Sequence, residues 1–368
     1  MVEKSNTELH KLLKKHPAAK EYEFLFDCCR ASFANTTILY PDDINAGVFY
    51  DLLQHHKLIT HLYPFLKDKC EGVSDELLQR VQQALKQNKL HLLKLSGELV
   101  RLSKLFEENQ IPWLSIKGPA LSMQLYGDVA ARQSGDLDIL VNEADLEKAM
   151  KILTEAGYES LIDFTKYSAD QIKFMRKYYR DISFEHSFQQ IKIELHWLVD
   201  IVKNHPLNKT SFKEMKNTLI GNALIPVCSD SYNTQYLCLH GSRHGWYRLF
   251  WLWDFAASIS GMTSTEIDNI VCLVKKNKLC KELGQAIALS SIIFGVNVSV
   301  DINQYAYSSR IVKLSLRYIL AINYMDFSHT LLRMRYKLNI YSYHFVITYY
   351  YRRSIVFLMR HLHFPKMV

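Results

Sequence analysis

The chain lacks the cysteine spacing of a disulfide-linked or zinc-bound protein. Its seven cysteines are odd in number and scattered, and no two of them form a CxxC pair. A disulfide framework and a zinc knuckle are therefore both disfavoured. The sequence also lacks an apolar run of roughly 18 residues, the length that a transmembrane helix needs. Its first residues lack the apolar segment of a secretory signal. We expect a cytoplasmic protein.

Glycine and proline are scarce in the first 110 residues, which favours uninterrupted helices. Leucine, valine and phenylalanine recur there at helical spacing, above all between residues 75 and 109. Strand-like patterns begin at Ile111 and continue to about residue 200, and helical patterns return from residue 231. The sequence thus predicts an α+β fold in three regions: helices over 1–110, a small mixed sheet over 111–200, and helices over 201–368.

Two alternating segments of the predicted sheet carry carboxylates. In DLDILV, apolar residues alternate with Asp136 and Asp138, so both aspartates should face the same side of one strand. The runs DISFEHS and QIKIELHW predict a hairpin whose second strand has Glu194 on its polar face. Mg²⁺ prefers carboxylate oxygens, and two ions about 4 Å apart can activate an attacking oxygen and neutralise a leaving phosphate. For an isolated DxD pair, the alternative is the solvated face of an edge strand.

Such a cluster of like charges also has a consequence for stability. Carboxylates that lie close together repel one another when no metal is bound. The sequence therefore predicts that neutralising one of these aspartates leaves the stability of the metal-free protein unchanged or slightly higher.

A strand–turn–helix unit precedes the DLD segment. The strand IPWLSIKG ends at Lys117 and Gly118, and the helix that follows has Pro119 in its first turn. A glycine turn at a helix N-terminus can hold phosphate through backbone N–H groups and the helix dipole, and Lys117 adds a positive charge. When this segment is taken alone, an ordinary strand-to-helix turn is the alternative.

Together these segments resemble the nucleotidyltransferase superfamily that includes DNA polymerase beta and the aminoglycoside nucleotidyltransferases. Its signature is a glycine turn, an Asp–hydrophobic–Asp strand and a third acid on a later strand. More closely, they resemble a branch of uncharacterised bacterial nucleotidyltransferases with a KG turn, an R-x-S/G-D-x-D-x-L-V strand and an acid-Leu-His-Trp motif, here ELHW. The segment LCLHGSRHGWYRL is similar to the HG-x-x-H-x-W-x-R-L motif of that branch. The resemblance covers residues 98 to 260.

The resemblance implies transfer of a nucleotidyl group from an NTP such as ATP, with pyrophosphate leaving. The acceptor would be a hydroxyl or similar group on a small molecule, peptide or sugar from a biosynthetic pathway. Asp136 and Asp138 would hold two Mg²⁺ ions, for which Mn²⁺ can substitute. Glu194 would complete the ion beside the attacking oxygen and help to deprotonate it.

The resemblance also suggests residues that bind the nucleotide. Pro119 stands where the superfamily often has a hydroxyl that binds a phosphate, so Lys117, Ser115 or Ser134 would replace it, beside the backbone of Gly118. Arg132 precedes the first aspartate by four residues and is a candidate triphosphate contact. A surface loop charge is the alternative for Arg132.

The segment from His240 to His244 has the HxxxH spacing that places two imidazoles on one helix face, as in zinc hydrolases. A glycine stands in place of the catalytic glutamate of the HExxH motif, which disfavours zinc. We therefore predict that His240, His244 and Arg248 contact the nucleotide or the acceptor.

Positive charge is concentrated in the last fifth of the chain. From residue 301 onward there are ten Lys or Arg against two acidic residues, an excess equal to the net charge of +8 of the whole chain. Clustered positive charge attracts triphosphates and nucleic acids. We predict a helical subdomain over residues 310–366 whose positive face borders the active cleft or a polyanionic partner. A solvated helix surface is the alternative.

Two other functions stay open at this point. One is a catalytically silent nucleotide-binding or partner-binding module that keeps the same fold. The other is a nucleic-acid modifier recruited by the basic C-terminal region. The complete set of three carboxylates favours an enzyme over a silent module.

Overall fold

The computed structural model describes residues 2–160, 162, 172, 176, 179–200, 202–298 and 309–321. This part of the chain forms two compact units. The helical unit contains residues 2–93 and 125–133 and those described from 230 onward. The sheet unit contains residues 94–124 and those described between 134 and 229. Most of the basic subdomain predicted over 310–366 lies outside the described residues.

The first part of the chain is helical, as its leucine spacing predicts. Its helices are α1 Val2–Leu13, α2 Ala19–Ala34, α3 Ala46–His55, α4 Ile59–Asp68 and α5 Asp75–Glu108. Two short strands, β1 Ile38–Leu39 and β2 Cys70–Glu71, lie among these helices and pair with each other in parallel. These strands were not predicted. The Asn45 side chain accepts hydrogen bonds from two backbone N–H groups at the start of α3, which satisfies donors that the helix itself leaves open.

The sheet unit contains β3 Trp113–Ser115, α6 Gly118–Tyr126, β4 Leu137–Val141, α7 Leu146–Glu155, β5 Glu159–Ser160, β6 Asp181–His186, β7 Ile191–His196, α8 Pro206–Thr210, β8 Met215–Ile220 and β9 Ala223–Cys228. The last two residues of α6 belong to the helical unit. Seven strands form one sheet in the order β5-β6-β7-β4-β3-β9-β8. β4 is parallel to β7 and antiparallel to β3, so the sheet is mixed. The predicted α+β fold and the predicted β6–β7 hairpin are confirmed.

Two features of the sheet differ from the pattern in the sequence. The hairpin β8–β9 lies in the region where helices were predicted, because Pro226 and the polar residues of β8 weaken the strand signal. In addition, every residue of β4 is buried, whereas its alternation predicts one exposed face. The polar face of β4 is therefore covered by other side chains.

The chain then returns to the helical unit with α9 Asp230–Arg243, α10 Leu249–Ser260, α11 Ser264–Lys276, α12 Cys280–Phe294 and α13 Ser309–Ile319. Helices follow the hairpin as the pattern from residue 231 predicts, and Thr263 and Glu266 form a capping box at the first turn of α11. No helix in the described ranges is both long enough and apolar enough to cross a bilayer.

A histidine inside the helical unit is expected to make the stability of the protein depend on pH. His61 stacks on Trp253, with ring centroids 5.0 Å apart and an interplanar angle of 17°. Burial, together with the positive charge of Arg132, lowers the pKa of His61 to about 3. The ring therefore stays neutral in the folded protein, while the unfolded chain takes up a proton as the pH falls below about 6.5. Its contribution to stability is present above that pH and is lost as the pH falls toward 3.

We expect His61→Phe to remove this dependence while keeping the stacking. The Nε2 atom of His61 has no hydrogen-bond partner among the described residues, so phenylalanine loses no polar contact there. Between pH 6 and pH 4, the free energy of unfolding of the parent should fall by about 1.4 kcal/mol per pH unit more than that of the variant. Urea unfolding at several pH values measures this, with the exposed His10→Asn as control. Parallel pH profiles of parent and His61→Phe would refute the assignment.

Candidate active site

The turn between β3 and α6 is held close to the DLD segment by its glycine. Gly118 has a φ of +66°, and a Cβ atom there would lie 3.4 Å from the carbonyl oxygen of Asp136. The backbone N–H of Ile116 donates a hydrogen bond of 3.1 Å to the carbonyl oxygen of Asp138. Left-handed backbone and a close carbonyl both favour glycine. The KG turn therefore packs directly against β4 and the bend before it, the segment that carries the two aspartates.

Strand register brings Asp138 and Glu194 together. They are directly paired residues of the parallel strands β4 and β7, so their side chains emerge on the same face of the sheet. His196 lies two residues after Glu194 and shares that face. Asp181, on β6, is directly paired with His196 in the hairpin and joins the same face. Four polar side chains from three adjacent strands thus meet in one patch.

Asp138 is surrounded by two basic groups. The ammonium of Lys117 donates to its Oδ1 atom at 2.7 Å, and Nε2 of His196 donates to the same oxygen at 3.1 Å. Asp138 is 2% exposed and His196 is 1% exposed. Glu194 Oε2 lies 3.5 Å from His196 Nε2. Lys117 and His196 therefore cover the polar face of β4 that the sequence pattern leaves open.

These contacts perturb the acidities of the buried groups. Burial favours the neutral form of Asp138, but the charge of Lys117 and the hydrogen bond from His196 outweigh it and hold the pKa of Asp138 well below its usual range. Burial lowers the pKa of His196, but its bonds to Asp138 and Glu194 raise it to about 9. In the metal-free protein at neutral pH, Asp138 is a carboxylate and His196 an imidazolium.

Asp136, by contrast, is not part of this group. The side chains whose ligand atoms lie within 4.8 Å of one another are those of Asp138, Glu194 and His196. Asp136 lies in the bend before β4 and is half-buried, and its carbonyl oxygen accepts a hydrogen bond of 3.1 Å from the Ser134 hydroxyl. The structure thus brings two of the three predicted carboxylates together, next to Lys117. Ser134 and Gly118 both lie against the backbone of Asp136.

The remaining predicted nucleotide contacts belong to the helical unit. Arg132 is 3% exposed, and its Nε donates to Asp254 Oδ2 at 2.7 Å. Arg132 therefore forms a buried ion pair with Asp254 and is not a surface loop charge. The rings of His240 and His244 lie 4.6 Å apart, and Arg248 precedes α10 with its guanidinium over the Tyr247 ring.

The HG-x-x-H-x-W motif has a packing explanation. A Cβ atom on Gly241 would lie 2.1 Å from the ring of Trp246, which is completely buried. Any larger residue at 241 would displace that ring. His240 and His244 both contact the ring of Trp251, at 5.2 and 4.9 Å between centroids. The glycine and Trp246 therefore fix the fold of this segment, while His244 and Arg248 stay half-exposed.

Two members of the patch, His196 and Asp181, were not predicted from the sequence. The signal for His196 was present, since it follows Glu194 by two residues and so must share its face. Asp181 is the first residue of β6, and only the hairpin register places it opposite His196.

We expect Gly118→Ala to destabilise the sheet unit by about 1–2 kcal/mol, because an L side chain is strained at a φ of +66°. Gly97→Ala is the matched control. Gly97 lies in α5, and a Cβ atom there would meet nothing within 4 Å, so alanine should stabilise by about 0.5–1 kcal/mol. Chemical denaturation compares the two. If Gly118→Ala matched the parent, the turn would not need glycine.

A mixed sheet that places carboxylates on adjacent strands beside a glycine turn is the arrangement expected of a nucleotidyltransferase. Residues 42–295 match the family model described as "Uncharacterised nucleotidyltransferase". The match covers more than half of the chain, and the chain belongs to this family. The predicted membership of the nucleotidyltransferases is therefore confirmed.

One solved structure similar to the chain is the crystal structure of an antigenic nucleotidyltransferase-like protein from Paracoccidioides brasiliensis. The TM-score is 0.34 and the sequence identity 14%, and the match covers 56% of this chain and 94% of that chain. No curated protein matches the chain.

Proposed function

We propose that the protein is a metal-dependent nucleotidyltransferase that moves a nucleotidyl group from an NTP to a hydroxyl or similar acceptor on a small molecule, peptide or sugar. The observation that carries this proposal is the direct pairing of Asp138 with Glu194 on adjacent strands, in a member of a nucleotidyltransferase family. Pyrophosphate is the leaving group.

The residues of the patch fit a divalent cation. Oxygen atoms of Asp138 and Glu194 and a nitrogen atom of His196 lie within 4.8 Å of one another, and Mg²⁺ and Mn²⁺ both accept carboxylate oxygens. Asp136 and Asp138 are proposed to hold two ions, with Glu194 completing one of them. Bound ions would neutralise the charge of the leaving pyrophosphate and lower the pKa of the acceptor hydroxyl.

The residues around the turn have roles that need no metal. Lys117 is close enough to Asp138 to neutralise it, and its ammonium is proposed to move to the triphosphate when the nucleotide binds. The N-terminus of α6 at Gly118 presents backbone N–H groups that suit phosphate oxygens. Ser134 holds the backbone of Asp136 and is proposed to offer its hydroxyl to the nucleotide.

Glu194 is proposed to accept the proton of the attacking hydroxyl. It is the most exposed carboxylate of the pair, with 31% of its side chain accessible against 2% for Asp138. A base must reach its substrate, and the exposed carboxylate meets that condition.

In the helical unit, His240, His244 and Arg248 are proposed to contact the nucleotide or the acceptor. A triphosphate contact by Arg132 would require its guanidinium to bind both the phosphate and Asp254.

The three regions over 1–110, 111–200 and 201–368 remain a proposed division of the chain. A cytoplasmic location is proposed as well, supported by seven free cysteines.

A catalytically silent module is the second candidate, and one observation favours it. Lys117 and His196 already pair with the buried Asp138, so protein groups alone compensate its charge. The two candidates differ in whether pyrophosphate is released. The protein should be incubated with each of four labelled NTPs, Mg²⁺ or Mn²⁺, and an extract of cell metabolites, with transfer detected by mass and pyrophosphate by a coupled assay. Metal-dependent pyrophosphate release with a labelled product supports the enzyme. Nucleotide binding without release under either metal would establish the silent module.

A further inference from the structure

His196 is placed between three carboxylates of the sheet unit. Its Nε2 atom lies 3.1 Å from Asp138 Oδ1 and 3.5 Å from Glu194 Oε2. Its Nδ1 atom points the other way, 3.7 Å from Asp181 Oδ2. The ring is almost completely buried, yet Nδ1 has no hydrogen-bond partner in the described part of the chain. Both ring nitrogens thus face carboxylates, and the Nδ1 contact is too long for a hydrogen bond.

We propose that Nε2 of His196 is a ligand of the metal that Asp138 and Glu194 hold, and that Asp181 positions the ring. The mixed set of one nitrogen and two carboxylates selects a transition cation of the Mn²⁺ type over Mg²⁺. This inference rests on the proposed function only for the presence of a metal at these carboxylates, and it adds an imidazole that the three-carboxylate assignment lacks.

The spacing of the three ligand atoms supports coordination of one ion. Ligands about 2.1 Å from a common cation are separated by about 3.0 Å in octahedral and about 3.4 Å in tetrahedral geometry. The observed separations of His196 Nε2 from the two carboxylate oxygens, 3.1 and 3.5 Å, match these values. The Asp138 and Glu194 oxygens are also within 4.8 Å of each other. The side chains therefore need little rearrangement to close around a cation.

Asp181 completes the arrangement that metal-binding histidines usually have. Such a histidine donates its second ring N–H to a carboxylate, which fixes the orientation of the ring. The β6–β7 register pairs Asp181 with His196 directly. Asp181 is itself held by Arg180, whose Nε donates to Oδ2 at 2.9 Å. A small rotation of the imidazole would bring Nδ1 into hydrogen-bond range of a carboxylate that is already fixed.

The imidazole determines which cation is preferred. Mg²⁺ strongly favours oxygen ligands, whereas nitrogen ligands raise affinity for first-row transition ions. Lys117 now occupies the same oxygen of Asp138 that would face the ion. A cation at that oxygen would displace the Lys117 ammonium from Asp138, and Nε2 of His196 would bind it as the neutral ring that a metal requires.

Pulsed electron paramagnetic resonance of Mn²⁺ bound to the full chain, without nucleotide, tests this directly. A directly bound imidazole should give ¹⁴N modulation of the Mn²⁺ echo, and protein made with ¹⁵N-histidine should show the corresponding ¹⁵N pattern without any substitution. His196→Gln should lose the modulation, while His186→Gln, in the same hairpin, should keep it. Asp181→Asn should keep the modulation but weaken Mn²⁺ binding by about 10–100-fold. Mg²⁺ should displace Mn²⁺ only at concentrations at least about tenfold higher.

Absence of histidine modulation in the parent, failure to bind Mn²⁺, or equal affinity for Mg²⁺ and Mn²⁺ would each overturn the inference. The labelled parent protein gives a decisive result even if His196→Gln does not fold. The result of the Mn²⁺ experiment can be distinguished from the result of the transfer assay that tests the proposed function. Transfer without a nitrogen ligand would leave the enzyme assignment intact, and a nitrogen ligand without pyrophosphate release would remove the enzyme assignment alone.

Discussion

Replacement of Asp138 by asparagine should reduce nucleotidyl transfer by about 1,000-fold or more, because the amide keeps the shape of the side chain and removes the charge that is proposed to hold the ions. Asp138 is the most deeply buried of the three candidate carboxylates and contacts both Lys117 and His196. Asp136→Asn should have a similar effect, because both aspartates are proposed to hold the ions. Glu194→Gln should be severe but smaller if Glu194 acts on one ion or as a base.

Asp138→Asn should also lower the free energy of unfolding, which differs from the expectation based on the sequence alone. Carboxylate repulsion predicted no loss, but the nearest charges to Asp138 are the cations of Lys117 and His196. The pKa of Asp138 is lowered in the folded protein, so its ionised form contributes stability at neutral pH that is lost as the pH falls below about 3.8. Removing it leaves the buried His196 and the largely covered Lys117 with one partner fewer. We expect a loss of about 1–3 kcal/mol.

Turnover and thermal unfolding should be measured on the same preparations. Glu185→Gln is a suitable control, since Glu185 is an exposed carboxylate on β6 of the same sheet. It should keep both activity and stability. If Asp138→Asn turned over at the parental rate, the carboxylate would have no role in catalysis and the proposed mechanism would be abandoned.

The second large effect is expected in the helical unit, where Asp254→Asn should reduce the free energy of unfolding by about 3–5 kcal/mol. Asp254 is completely buried and accepts hydrogen bonds from Arg132 at 2.7 Å and from the Tyr126 hydroxyl at 2.8 Å. Burial raises the pKa of Asp254, and the charge of Arg132 only partly opposes it. The pair itself is therefore not a large net source of stability. Removing Asp254 alone lowers the free energy of unfolding because the guanidinium of Arg132 would remain buried without a counter-charge.

Thermal unfolding distinguishes this explanation from a general sensitivity to charge removal. Asp254→Asn should lower Tm by about 6–20 °C. Asp43→Asn removes a carboxylate from an exposed pair with Lys20 and should leave Tm unchanged within error. The double variant Arg132→Met with Asp254→Leu should recover most of the loss, because no charge remains buried. An Asp254→Asn variant as stable as the parent would mean that Arg132 finds another partner or water.

Local periodicity predicted the strands of the site but not the neighbours of its central carboxylate. Alternation alone placed Asp138 and Glu194 on polar faces, and the hairpin followed from two alternating runs separated by a turn. Lys117 lies 21 residues before Asp138 and His196 lies 58 residues after it. Their approach depends on which strands are adjacent in the sheet, and strand order is not contained in the pattern of any single strand. For the same reason, Asp181 was found only from the register of the hairpin.

The sequence also could not predict that Arg132 forms a buried ion pair. Its partner is 122 residues away, in a helix whose sequence, LFWLWDFAASIS, predicts a core helix with one acidic residue. A lone acid in such a helix is a signal that a buried cation lies nearby, since unpaired buried charges are rare. The sequence does not say which cation.

The strand order also determines which fragments of the chain can be expressed with a complete sheet. β3, the strand before the KG turn, is paired on one side with β4 and on the other with β9, which comes about a hundred residues later in the chain. A fragment expressed from residues 111 to 200 would contain the glycine turn, the aspartates and Glu194 but would leave one edge of β3 without its strand. Open edges of this kind recruit strands from other molecules. Such a fragment should therefore precipitate or form edge-to-edge oligomers during expression, and a recombinant fragment of the sheet unit should extend at least through Cys228.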